Sequence, residues 1–172
     1  MRTYARRFDR KLGGFVTTIG TYWEVMKTFQ QQLPVDVIGM AKAMGLKLSK
    51  TAEWENGLSG MIRREEDGNY RIIVNANHSL HRQRFTIAHE LVHFILHKPL
   101  IGDELTDDAL YRSGLSNGIE MEANDLAADI LMPRAQVLRF TRNREMTSSV
   151  MAKEFNVSQS AMAIRLGVPS EQ

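Results

Sequence analysis

The stretch from Thr86 to His97, reading TIAHELVHFILH, constrains this chain more than any other. Ile87, Ala88, Leu91, Val92, Phe94, Ile95 and Leu96 make it apolar on nearly every side. A helix that is hydrophobic all round is a buried one, so the rest of the chain must be wrapped around it. Burying His89, Glu90 and His93 in such a helix is costly unless they are paired or hold a metal ion. Residues four apart share a helix face, so the imidazoles of His89 and His93 can reach one ion. Glu90 follows the first histidine and points elsewhere. It can still reach a water on that ion, the place of a general base in metal-assisted hydrolysis. Two core histidines satisfied by hydrogen bonds would be a simpler account, but it leaves the buried Glu90 without a reason.

A chain of 172 residues is long enough for one full core. No apolar run is long enough to span a bilayer, and the basic opening MRTYARRFDRKLGG lacks the apolar centre of a secretory leader. The expectation is a cytoplasmic protein with no membrane association. Cysteine is absent, so any zinc site must use histidine and carboxylate ligands. Of the net charge of +2, residues 1–14 hold a local excess of four positive charges, which leaves the remainder slightly acidic. The basic arm, taken as residues 1–20, reads as a solvated terminus ahead of contact with nucleic acid.

Tyr22 to Gln32 is compatible with a helix broken at Leu33-Pro34, and Pro34 suits the first turn of a second helix. Val37, Ile38, Met40, Ala41 and Met44 give that helix an apolar side, and Gly45 stops it. Leu46 to Ala52 alternates as a strand does. Ser59 to Glu66 and Tyr70 to Ala76 flank Asp67-Gly68-Asn69, a strong hairpin signal. The strand Tyr70 to Ala76 leads straight into the histidine helix. It is a candidate edge strand for pairing with an extended substrate, as well as a purely structural strand. His78, His81, Arg82 and Arg84 read as polar residues at a helix start. His97 lies one turn beyond His93, about 6 Å along the axis. That is too far for a third ligand, so His97 is expected to support a ligand or to sit as a polar helix end. Leu100 to Gly118 reads as a long loop with a helical turn around Ala109 to Arg112. His78, His81, His97, Tyr111 and Arg112 all remain open as transition-state donors.

Zinc needs a third protein ligand, normally from a second helix. Ile119 to Met132 is that helix, ended by Pro133. Glu120 and Asn124 share a face, so one can ligate while the other hydrogen-bonds a ligand histidine. Glu122 is the rival ligand. The segments RFTIAHELVHFILH and EMEANDLAADILMP together resemble the ImmA/IrrE family of metallopeptidases, over roughly Val35 to Arg142. That family shows HELGH with a following Leu-His, then a Glu and Asn four apart leading to Ala-Ala and Leu-Met-Pro. The resemblance implies His89 and His93 as metal ligands, Glu90 as the catalytic glutamate, Glu120 as the third ligand and Zn2+ as the metal. Val92 stands where the family usually has glycine, and Leu126 where an aromatic residue is common. The resemblance further implies a regulatory protease, phage-borne or stress-linked in some members, that inactivates a helix-turn-helix repressor or a toxin–antitoxin regulator.

Beyond Pro133, Arg134 to Arg142 and two short segments within Thr147 to Gly167 read as helices. Ser158 caps the last, and Asn156 takes a left-handed turn. Their apolar spacing resembles a helix-turn-helix. Gln159, Ser160 and Arg165 would be its modest DNA-facing set, set against a packing role that braces the catalytic helices. The expected fold is α+β and zincin-like: a small, mostly antiparallel sheet, a central HExxH helix and a helical C-terminal cap. The peptidase domain is expected over residues 21–142 and the extension over 143–172. The expected function is a zinc endopeptidase acting on a helix-turn-helix regulator encoded nearby. The alternative is a non-proteolytic, zinc-stabilised toxin or a module that binds a regulator or DNA.

Overall fold

The computed structural model describes residues 13–54, 57–101, 104–105, 116–142 and 147–169. The element order is α1 (Gly13–Phe29), α2 (Val37–Ala43), β1 (Lys47–Thr51), β2 (Gly60–Arg64), β3 (Tyr70–Asn75), α3 (Leu80–Leu96), β4 (Glu104–Leu105), α4 (Ser116–Leu131), α5 (Arg134–Thr141), α6 (Ser148–Phe155) and α7 (Gln159–Leu166). The fold is α+β, with α3 packed on the sheet and on α4. Among the described residues no helix is long and apolar enough to cross a membrane.

The sheet order is β1-β3-β2-β4. β3 runs parallel to β1, while the β2–β3 and β2–β4 pairs are antiparallel. The hairpin between β2 and β3 closes where expected: Gly68 takes φ +80° and donates its N–H to Glu65 O at 2.9 Å. One expectation fails here. Tyr70 to Ala76 is no edge, because β3 is paired along both sides, Ile72 with Leu48 on β1 and with Ile62 on β2. Its Val74 is buried, as an inner strand covered by a helix requires.

Two helix starts also move. α1 begins at Gly13, within the residues read as an arm, and ends at Phe29. Its glycines and β-branched residues lower helix propensity and hid it from the periodicity. α2 begins at Val37 rather than at Pro34, because Asp36 is the cap: its Oδ1 accepts the Gly39 N–H at 2.9 Å. Pro34 lies in the preceding turn, after a cis peptide bond. Val37, Met40, Ala41 and Met44 are buried as read from the sequence, whereas Ile38 faces outward.

α3 is capped by Ser79, whose hydroxyl accepts the Arg82 N–H at 3.3 Å, and every residue from Thr86 to Leu96 is buried. Three elements fasten its N-terminal half. Gln83 Nε2 donates to His78 O at 2.7 Å, while Arg84 donates to Val35 O at 2.9 Å and to Asn156 O at 3.1 Å. The second of these arginine bonds ties α3 to the left-handed turn at Asn156 (φ +50°) between α6 and α7. Met151, Phe155 and Met162 of those helices are fully buried and belong to the same apolar cluster as Leu91 and Ile130. Arg165 donates to Met132 O at 2.7 Å and pairs with Asp129, so α7 is fastened to the end of α4.

Gly60 is where the sheet meets α3. A Cβ there would collide with Thr86 Cγ2, lie 3.0 Å from Ile73 O and reach within 3.7 Å of Glu90 Oε1. Glycine is used here for close approach, which leaves room for Glu90 beneath β2. Gly118, in the first turns of α4, has open space around its Cα. Gly60→Ala is therefore expected to destabilise the fold by about 1–3 kcal/mol, and Gly118→Ala to stabilise it by up to about 1 kcal/mol. Urea unfolding midpoints of the two variants against wild type check both signs.

Candidate metal centre

The buried seam between α3 and α4 holds the polar residues singled out in the sequence. His89, Glu90, His93 and His97 are 7%, 3%, 1% and 6% exposed. The donor atoms of His89, His93 and Glu120 all lie within 4.8 Å of one another. Their edges are short: His89 Nε2 to His93 Nε2 is 2.9 Å, His89 Nε2 to Glu120 Oε2 is 3.1 Å and His93 Nε2 to Glu120 Oε1 is 3.3 Å. Ligand atoms about 2.0–2.1 Å from a tetrahedral zinc ion stand about 3.3 Å apart, so the group needs little adjustment to fit one.

A second observation points the same way. Glu120 Oε1 is buried and, apart from the His93 ring nitrogen 3.3 Å away, has no polar partner among the described residues. An acceptor-only oxygen left so costs about 1–3 kcal/mol, which a cation beside it would remove. Burial opposes ionisation of this carboxyl, but the His89 and His93 imidazoles that face it outweigh burial and bring its pKa down to about 2. Two nitrogens and one carboxylate oxygen, with no sulfur, form a donor set suited to zinc.

The outer nitrogens of the two histidines are engaged as well. His89 Nδ1 meets Asn124 Oδ1 at 3.1 Å, so Asn124 stands where the sequence put a supporting residue four positions after Glu120. His93 Nδ1 lies 3.0 Å from His97 Nδ1, and His97 Nε2 lies 3.2 Å from Glu122 Oε2. Burial pushes the His97 pKa below its usual value and the nearby His93 adds to this, while Glu122 pulls the other way. Glu122 is thus not in the three-residue group but beside His97. From the sequence Glu122 is expected only as a rival ligand, and its meeting with His97 depends on how α4 docks on α3. The i, i+4 spacing of His93 and His97 was the available signal. His97 stands outside the three-residue group, one turn beyond His93 along the helix axis.

Glu90 lies under Gly60 of β2, outside the three-residue group. His81 is exposed, and His78 is half-buried next to the cap of α3. Both ring nitrogens of His97 face partners, which removes it as a free donor. Tyr111 and Arg112, and the helical turn expected around them, lie outside the described residues. A cavity of about 510 Å³ runs between α3, α4 and α7, lined by Phe85, Asn124, Asp129, Arg134, Ile164 and Arg165. Phe85 and Asn124 both adjoin His89, but the cavity is not lined by Glu90, His93 or Glu120.

The fold has a solved counterpart. It is similar to a Mycobacterium tuberculosis transcriptional regulator, with a TM-score of 0.58 and 14% sequence identity, over 87% of this chain and 47% of that one. This chain therefore spans about half the length of that protein, and at such identity the likeness is one of fold. No curated protein matches the sequence. Residues 41–167 match the peptidase M78 family model, described as the IrrE N-terminal-like domain, and this span takes in the sheet, α3, α4 and the C-terminal helices. The chain belongs to the peptidase M78 family of IrrE N-terminal-like domains, a metallopeptidase-type family.

Proposed function

We propose that this protein is a zinc-dependent endopeptidase of regulatory type, in which His89, His93 and Glu120 hold the metal and Glu90 is the catalytic base. The observation that carries the reading is the convergence of those three donors, with a buried and otherwise unpartnered carboxylate oxygen, on the helix that also bears Glu90. Bound there, zinc supplies a Lewis acid for the scissile carbonyl and makes water a stronger acid. The protein's own part falls to Glu90, which accepts the proton from the attacking water at its carboxylate and returns it to the departing amine. Its place between α3 and the Gly60 backbone shields it from bulk solvent and holds it in register with the histidines. Asn124 keeps His89 facing the metal.

The substrate is inferred to be a helix-turn-helix regulator encoded nearby, presenting a flexible segment. Family membership and the fold shared with a transcriptional regulator support a regulatory setting. The side of the sheet next to Glu90 is formed by β2, with β4 as its outer described strand, so an extended segment is placed there in preference to β3. The competing reading, a zinc-stabilised module that binds a regulator or DNA without cutting, draws little support from α7, whose Arg165 is committed to Asp129 and Met132. A cytoplasmic location, a phage or stress setting and a toxin–antitoxin pairing belong to the same proposal. So does the division into an arm at 1–20, a peptidase at 21–142 and an extension at 143–172.

Two measurements test the chemistry. Metal content of purified variants should collapse for His89→Ala, His93→Ala and Glu120→Ala, while Glu122→Ala still takes up one ion when zinc is in excess. Metal retained in Glu120→Ala and lost in Glu122→Ala would reverse the choice of third ligand. Glu90→Gln should keep metal and fold yet lose at least about 100-fold in cleavage rate; a variant that cuts as fast as wild type refutes the assigned base. For the substrate, the zinc-loaded protein is co-expressed with the regulator encoded beside it. A truncated regulator whose truncation disappears with Glu90→Gln is expected, and an intact regulator that co-purifies with the protein favours the binding module.

A further inference from the structure

We propose that His97 and Glu122 form a positioning relay that holds His93 in the one tautomer able to bind a metal ion. The inference rests on the metal-centre reading above and extends it to two residues outside the ligand set. The geometry is a chain of two contacts: His93 Nδ1 to His97 Nδ1 at 3.0 Å, and His97 Nε2 to Glu122 Oε2 at 3.2 Å. The first is fully buried and joins two nitrogens of the same kind, so it needs one proton between them and admits only two arrangements.

If His97 Nδ1 carries the proton, His93 Nδ1 is the acceptor and a neutral His93 must carry its hydrogen on Nε2. That nitrogen is the one facing His89 and Glu120, and once protonated it cannot ligate. The neutral form of His97 would then also turn a bare Nε2 toward the Glu122 carboxylate, placing two acceptors face to face. In the other arrangement His93 Nδ1–H donates to His97 Nδ1, and His97 Nε2–H donates to Glu122. Every contact is then a donor meeting an acceptor, and His93 Nε2 is left with its lone pair facing the cluster. Glu122, through its demand for a hydrogen on His97 Nε2, selects this second arrangement from two bonds away.

The bland account of His97 is a polar helix end, and the contacts argue against it. His97 is the C-cap of α3 through its backbone N–H, which donates to His93 O, and its side chain makes no capping bond. Its ring is 7% exposed and spans the gap between His93 and Glu122, while the Glu122 carboxylate is 27% exposed and closes the chain at the surface. His89 is served in parallel by Asn124, whose carbonyl oxygen accepts from Nδ1–H. Both histidines of the cluster thus have their outer nitrogens tied and their inner nitrogens directed to one point.

The test measures zinc affinity by chelator competition on the full chain, together with the melting temperature of each metal-free protein. His97→Leu and Glu122→Leu are expected to bind zinc about 10- to 100-fold more weakly, while the metal-free proteins still fold cooperatively and melt only modestly lower, each having one buried ring nitrogen unmatched. His97→Gln is expected to recover most of the loss, because its amide oxygen can accept from His93 while its NH2 donates to Glu122. Imidazole nitrogen NMR of the zinc-loaded wild type should place the His97 proton on Nε2. Unchanged affinity in both leucine variants, a His97→Gln variant as weak as His97→Leu, or a proton on His97 Nδ1 each overturns the relay. Should His97→Leu fail to fold, Glu122→Leu and the NMR measurement decide alone. A wild type that takes up no zinc defeats the metal centre and the relay together, whereas a wild type that binds tightly beside unaffected leucine variants defeats the relay only.

Discussion

The contact between α3 and α4 is the constraint on which the rest of the structure depends, because it buries three imidazoles and much of a carboxylate inside an otherwise apolar seam. Such a seam is unfavourable unless its polar atoms are matched, and an unmatched one costs about 1–3 kcal/mol. Here the outer nitrogens of His89 and His93 are matched by Asn124 and His97, and Glu122 matches the far side of His97. The inner nitrogens and Glu120 face one another, in a triangle of the size that surrounds a small cation. Stability and chemistry make the same demand of these side chains. Groups expensive to bury for the sake of the fold alone become inexpensive once they share a positive ion.

Around that seam the chain supplies stiffness. α3 is held at its start by Gln83 and Arg84 bonds to backbone carbonyls, and along its length by the sheet, whose β2 passes close enough to require glycine at position 60. Arg84 and Arg165 spend their guanidinium groups on the carbonyls of Val35, Asn156 and Met132. Burial lowers the Arg84 pKa, with Asp36 acting in the opposite direction. Arginine suits this use because its planar fork can satisfy carbonyls from two elements at once. The C-terminal helices act through these bonds and through Phe155 and Met162 as a buttress for α3 and α4. These two capped helices, with a left-handed residue between them, have a helix-turn-helix outline and contribute buried residues to the shared core.

Much of this was legible in the residues themselves. The all-round apolar character of Thr86 to Leu96 required a buried helix, and the four-residue spacing of His89 and His93 placed their rings on one face, both consequences of helix geometry that no tertiary context can alter. The hairpin at Asp67-Gly68, the stop at Gly45, the cap at Ser158 and the left-handed Asn156 are likewise short-range, because each depends on backbone sterics and on side-chain oxygens a few residues away. What tertiary structure decided was everything that depends on neighbours distant in the chain. Alternation marks Tyr70 to Ala76 as a strand, but β1 closes its second side across more than twenty residues, and no local pattern distinguishes an inner strand from an edge. Spacing separates Glu120 from Glu122 without saying which meets the histidines, and only the docking of α4 on α3 sends the first to the cluster and the second to His97. A sequence fixes which side chains share a face; which face meets which is set by the packing of whole elements, where the cost of burying each polar atom is settled.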